Sequence, residues 1–71
     1  MWNFYYFNIH EDNKGNHEVH VESCDYLPKI ENRKLIGYRQ DCKTAIHDAQ
    51  IAYPNYKFDG CYYCCRDCHK G

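Results

Sequence analysis

A chain of 71 residues buries only about 60 per cent of the surface that its unfolded form exposes, so it supports one small domain whose marginal core gains from a covalent or metal staple. Nine Lys and Arg against ten Asp and Glu exclude an overall phosphate-binding field, and no apolar run approaches the roughly 20 residues of a membrane span. Six cysteines, four of them within Cys61 to Cys68, leave two framework chemistries, a disulfide scaffold or a metal site.

The chain opens on Met1-Trp2-Asn3-Phe4-Tyr5-Tyr6-Phe7-Asn8, which reads as the first strand of a folded domain rather than as a secretory leader, since it lacks a basic segment, an apolar run and a cleavage site. A cytoplasmic, reducing environment is the expectation that follows, and reduced thiols favour metal over disulfides. A mature secreted fragment with an added Met would read the same way.

Residues 2 to 24 predict a β-hairpin, with Trp2 to His10 as one strand, Asp12-Asn13-Lys14-Gly15 as the turn and His17 to Glu22 as the other. With Asp12 facing Asn16, Ile9 meets Val19, Phe7 meets Val21 and Tyr5 meets Ser23 on one face. Asn8 then meets His20, Tyr6 meets Glu22 and Phe4 meets Cys24 on the other. A one-residue slip would turn Glu18 and Glu22 toward the core, so the apolar matching favours this face assignment.

Beyond a loop containing Pro28, Lys34 to Arg39 predicts a third strand. Asp41 is a helix N-cap for Cys42 to Tyr53, with Ala45, Ile46, Ala49, Ala52 and Tyr53 at helical spacings and Pro54 as the stop. Tyr56 and Phe58 alternate as a short extended segment, and Asp59-Gly60 turns the chain into the cysteine cluster. The predicted fold is a small α+β domain: an antiparallel hairpin, a third strand, one helix and a C-terminal cysteine-rich knuckle.

Zinc takes four tetrahedral ligands, commonly as two close pairs on separate segments. His20-x3-Cys24 after the second strand and Cys61-x2-Cys64 after the helix supply two such pairs, so His20, Cys24, Cys61 and Cys64 are the predicted ligands of one Zn2+. His20 and Cys24 share strand parity and reach one side if the chain turns at Glu22-Ser23. Cys65-x2-Cys68 and the adjoining His69 are a competing set that could replace Cys61 and Cys64, bind a second metal, or form disulfides with Cys42 under oxidation. Cys42 alone reads as a small buried hydrophobe, and His10, His17 and His47 as ordinary solvated or half-buried histidines.

The order His20-x3-Cys24, Glu31-Asn32 before an aliphatic strand ending near Tyr38, a helix bearing Ala45 and Ala49, then Gly60 and a CxxC resembles the zinc-binding N-terminal domain of the Ada DNA-repair protein over residues 16 to 68. The resemblance implies Cys24 as the second ligand and the terminal cysteine pair as the third and fourth. In Ada the first cysteine of the CxxxC pair is both ligand and methyl acceptor, whereas His20 stands at that position here. What carries over is the metal fold without the thiolate that alkyl transfer requires.

Three functions are compatible with these residues. A non-catalytic zinc-stapled interaction module needs only a closed four-ligand site and an exposed face. A thiol redox or alkyl-acceptor protein would use a spare cysteine such as Cys65 or Cys68 beside Arg66, but helix-forming sequence is missing after Cys68. A secreted disulfide-rich module lacks its leader. For the first, eight tyrosines and near-neutral charge favour a protein partner or self-association. A small regulator or inhibitor of a larger protein, including one encoded by a phage or mobile element, would fit the size. Nucleic acid is the partner that the Ada resemblance implies, through Lys29, Arg33, Lys34, Arg39 and Lys43, residues that also read as a solvated loop. Trp2, Phe4 and Tyr6 are expected on the face away from the helix, either covered by Tyr62 and Tyr63 or left open for binding, with Trp2 and Tyr6 as anchors.

Overall fold

The computed structural model describes residues 2–71, so Met1 of the predicted first strand lies outside the described residues. Strands β1 (Asn3–Asn8), β2 (Asn16–Val21), β3 (Arg33–Arg39) and β4 (Lys57–Gly60) form one sheet in the order β3-β1-β2-β4, and helix α1 spans Cys42–Ala52. β1 runs antiparallel to both β2 and β3, and β4 lies parallel to β2. The α+β class is as predicted, but the sheet has four strands rather than three.

β4 is the addition. Its sequence, Lys57-Phe58-Asp59-Gly60, carries little strand propensity of its own. Backbone pairing with β2, from Asn16 opposite Lys57 to Val19 opposite Gly60, makes it a strand. β3 and β4 point the same way from opposite edges, and parallel strands need a long crossover. Helix α1 supplies that crossover and in doing so covers one face of the sheet.

The hairpin register differs from the predicted one by two residues: Tyr5 faces Val21, Tyr6 faces His20 and Phe7 faces Val19. The predicted turn is present, with Asp12 N–H donating to the Asn16 carbonyl and the Asp12 carboxylate accepting from Lys14 and Asn16 N–H groups. The chain has already left the ladder before it. Asn8 Oδ1 accepts from His10 N–H, and Ile9 N–H donates to the Asn32 carbonyl, which diverts this segment toward β3. A two-residue shift preserves side-chain parity, so the apolar face survives although every predicted partner changes.

Asp41 caps α1 by accepting from Thr44 N–H, as its position predicts. Ala45 and Ala49 are buried against the sheet, and their small size lets the helix approach Tyr5, Phe7, Val19 and Phe58 closely. Phe7, 1% exposed, is the centre of this layer, with Tyr53 and Phe58 rings edge-on to it at 5.3 and 5.2 Å. In β3 a bulge at Ile36 turns both Ile36 and Gly37 from strict alternation, and Gly37 takes φ 142°, which an L side chain rarely adopts. Ile36 thereby packs on the core while Leu35 and Tyr38 stay on the outer face.

His17 departs from its expected solvated or half-buried role. It is buried, its Nδ1 lies 2.9 Å from the Asn8 carbonyl, and its ring stacks on Tyr56. His10 and His47 are exposed. Among the described residues no helix is long and apolar enough to cross a membrane.

Candidate metal centre

β2 ends at Val21, and the turn Glu22-Ser23, closed by Cys24 N–H donating to the Val21 carbonyl, brings Cys24 back toward His20. On the neighbouring strand, β4 ends at Gly60, and Cys61 N–H donates to the Val19 carbonyl, which places Cys61 beside His20. A further turn, with Cys65 N–H donating to the Cys61 carbonyl, returns Cys64 to the same point. The parallel pairing of β2 and β4 thus delivers both predicted ligand pairs to one end of the sheet.

The four predicted residues converge there. One ligand atom each from His20, Cys24, Cys61 and Cys64 lies within 4.8 Å of the others, a group that could hold a metal ion. Cys24 Sγ is 3.9 Å from Cys61 Sγ, and Cys64 Sγ is 4.0 Å from His20 Nδ1. A tetrahedron built on a metal–sulfur bond of ~2.3 Å has edges of about 3.8 Å, so the spacing suits an ion of that bond length.

Three backbone N–H groups point at the sulfurs: Val21 to Cys64, Tyr26 to Cys24 and Tyr63 to Cys61, each at 3.4 Å. These donors favour thiolate, but burial outweighs them. His20 is 2% exposed and Cys61 is 1% exposed. Burial lifts the Cys61 thiol from 9.0 to about 11 and raises Cys24 too. Cys64 is pushed up by its hydrogen bond with Cys65 and then by burial, while burial lowers His20. Without a cation the cluster is held as neutral thiols and neutral imidazole, and a divalent ion reverses that preference for the sulfurs.

Glu18 is a residue that ligand spacing did not single out. Its carboxylate lies 3.5 Å from His20 Nε2, on the side of the ring opposite Cys64, the place where a carboxylate orients a metal-bound histidine. The signal was present in the strand: Glu18 and His20 are two apart in β2 and share a face.

The competing residues go elsewhere. Cys65 is buried in the core layer, Cys68 is disulfide-bonded to Cys42, and His69 Nδ1 faces the Gly60 carbonyl at 2.9 Å. Cys42 is therefore a cross-linked residue rather than a small isolated hydrophobe. Its bond closes a sequence separation of 26, a loop for which chain entropy gives roughly 3–4 kcal/mol. Tyr62 and Tyr63 do not cover Trp2, Phe4 and Tyr6. Tyr63 stacks on Tyr26 at 4.3 Å, and Tyr62 packs against His69 under the Arg66 guanidinium.

Gly60 lets the knuckle seat. A Cβ there would lie 2.5 Å from the Cys65 carbonyl oxygen and 2.7 Å from Cys68 Cβ, so backbone would have to move. Gly60→Ala is expected to cost about 1–3 kcal/mol and to weaken metal binding together with it. Thermal melts and chelator competition on the variant check this, and unchanged values for both would contradict the packing argument. Comparison with known protein families, with curated proteins and with solved structures finds no match to this chain.

Proposed function

We infer that this chain is a non-catalytic, zinc-stapled interaction module that binds a protein partner, or a second copy of itself, through the outer face of its sheet. The observation that carries the reading is the asymmetry of the two faces. Helix α1 covers Tyr5 and Phe7, whereas Trp2, Phe4 and Tyr38 on the other side are 54%, 44% and 52% exposed. Their rings pack on one another, Trp2 with Tyr38 at 5.4 Å and Phe4 with Tyr38 at 4.9 Å, forming a preordered aromatic surface. Contiguous exposed apolar surface of this kind is characteristic of interaction sites.

Zinc is the ion that suits three thiolates and one imidazole at tetrahedral spacing, and four protein ligands leave no open coordination position for substrate. The same ligand order is what the Ada resemblance implies, with His20 in place of the alkyl acceptor. Nucleic acid finds less support, because three of the five basic residues that would meet phosphates are already engaged. Arg39 pairs with Asp48 at 2.7 Å, Lys34 sits over the Tyr53 ring and Arg33 over Tyr6.

Tyr6 is a weaker anchor than its sequence position implies, since Arg33 covers its ring and its hydroxyl donates to Glu22. Tyr38 takes its place beside Trp2. Trp2→Ala and Tyr38→Ala are expected to keep metal content and fold, each losing no more than about 0.5–1.5 kcal/mol of ring packing. Both should lose self-association or partner binding, read by native mass spectrometry of reduced, zinc-loaded protein across a concentration series and by titration with a captured partner. Variants that retain every interaction of the parent would place the binding face elsewhere.

A further inference from the structure

The cysteines divide into two chemically distinct sets, four that are free thiols in or beside the candidate metal cluster and two that are cross-linked to each other. Cys61 and Cys65 are buried, and Cys24 and Cys64 belong to the four-residue cluster. Cys42 and Cys68 are half-buried and line an open cleft of about 560 Å³, with Lys43, Lys70, Asp41 and Asp67 around the S–S bond. A small thiol or disulfide has access to this pair, whereas Cys61 and Cys65 are buried and the half-buried Cys24 and Cys64 are sulfurs that a bound metal would occupy.

The cross-link also sits where it bears on the metal cluster. Cys68 N–H donates to the Cys65 carbonyl, and Cys65 N–H donates to the Cys61 carbonyl, so one hydrogen-bonded path joins the cross-linked cysteine to a ligand. The segment carrying Cys61 and Cys64 is held at one end by β4 and at the other by Cys68. Cys42, the first residue of α1, anchors that second end to the helix that packs on the core.

We propose that Cys42 and Cys68 form a reversible redox site, separate from the metal centre, whose oxidation clasps the tail to α1 and strengthens metal binding by holding Cys61 and Cys64 in place. The inference rests on the reading of His20, Cys24, Cys61 and Cys64 as a metal centre, and it is independent of any partner on the aromatic face. The co-reactant is a low-molecular-weight disulfide such as oxidised glutathione. Each exchange breaks its S–S bond, forms Cys42–Cys68, and releases two small thiols that carry the two thiol protons; the protein is oxidised by two electrons and the small disulfide reduced by two. Reduction runs the same steps backward. Because coupling between two sites is reciprocal, bound metal must favour the cross-link by the same factor.

The test uses the full chain in two redox states, equilibrated with oxidised glutathione or reduced with a phosphine that does not bind zinc. Differential alkylation with peptide mapping reads the pairing, and competition with a chromophoric chelator reads zinc affinity. The expected result is a single Cys42–Cys68 bond with zinc retained, and affinity about tenfold lower after reduction. Cys42→Ser and Cys68→Ser are expected to show the reduced affinity in both buffers. Equal affinity in the two states of the parent chain, which needs no variant to fold, would overturn the coupling and leave the metal reading standing. Pairing of any other two cysteines, or Cys42 and Cys68 remaining alkylatable in oxidised glutathione, would overturn the redox site. Absence of zinc binding in both states would overturn this inference and the metal reading together.

Discussion

Removing the proposed zinc is expected to unfold most of this protein. Structural zinc contributes on the order of 10 kcal/mol in small modules, as much as the whole stability of many domains. Here the ion would join the end of β2 to the segment after β4, and the buried cluster is small: Tyr5, Phe7, Val19, Ala45, Ala49, Phe58 and Cys65. A chelator should abolish the near-UV circular dichroism of the tyrosine and tryptophan rings, and one equivalent of zinc should restore it. His20→Ala and Cys61→Ser should behave like chelated protein, whereas His20→Cys should keep a four-ligand site. Metal-free protein with an unchanged near-UV spectrum would refute the staple.

The same residues give the metal-free and metal-loaded forms opposite pH responses. In metal-free folded chain the Cys61 thiol is raised from 9.0 to about 11, so folding favours its neutral form. That contribution is complete below pH 9 and is lost as pH rises toward about 11, with Cys24 and Cys64 shifted in the same direction. With zinc bound the sulfurs are already thiolates, so the alkaline loss should disappear and acid should instead expel the metal by protonating the ligands. Thermal melts of the zinc-loaded chain from pH 5 to 11 check this: stability should fall on the acid side and hold between pH 9 and about 11, and the alkaline loss should appear only in whatever folded fraction survives chelation.

Phe7→Ala is the core substitution with the largest expected cost, about 3–5 kcal/mol. The ring is 1% exposed and is met by Tyr53, Phe58, Tyr56 and His17 from three separate segments, so no single neighbour can move in to fill the space. Phe7→Leu keeps part of the volume and should lose less. Urea unfolding of zinc-saturated protein measures both, and saturation with metal keeps the comparison on packing alone. A loss below 1 kcal/mol for the alanine variant would mean that the helix layer collapses onto the vacancy.

Much of the fold was legible because local chemistry announces it. Asp41 capping an alanine-bearing stretch specified α1 to within a residue, and the alternation of Tyr5 and Phe7 with Phe4 and Tyr6 specified which side of β1 is covered. The convergence of the four candidate residues was legible for a similar reason: His20-x3-Cys24 and Cys61-x2-Cys64 each close a short loop whose geometry depends on few residues, and the structure brings all four together.

What the sequence did not determine were choices between distant segments. The hairpin register moved by two because Ile9 N–H bonds to Asn32, a partner supplied by the approach to β3. β4 became a strand because β2 offered it a free parallel edge, although Lys57, Asp59 and Gly60 have little propensity for one. The role of Cys42 and Cys68 likewise depended on where α1 deposits its first residue relative to the tail. Side-chain type and spacing state what a segment can do by itself; backbone groups are nearly alike in every residue, so which segments their hydrogen bonds join is settled only when the whole chain packs.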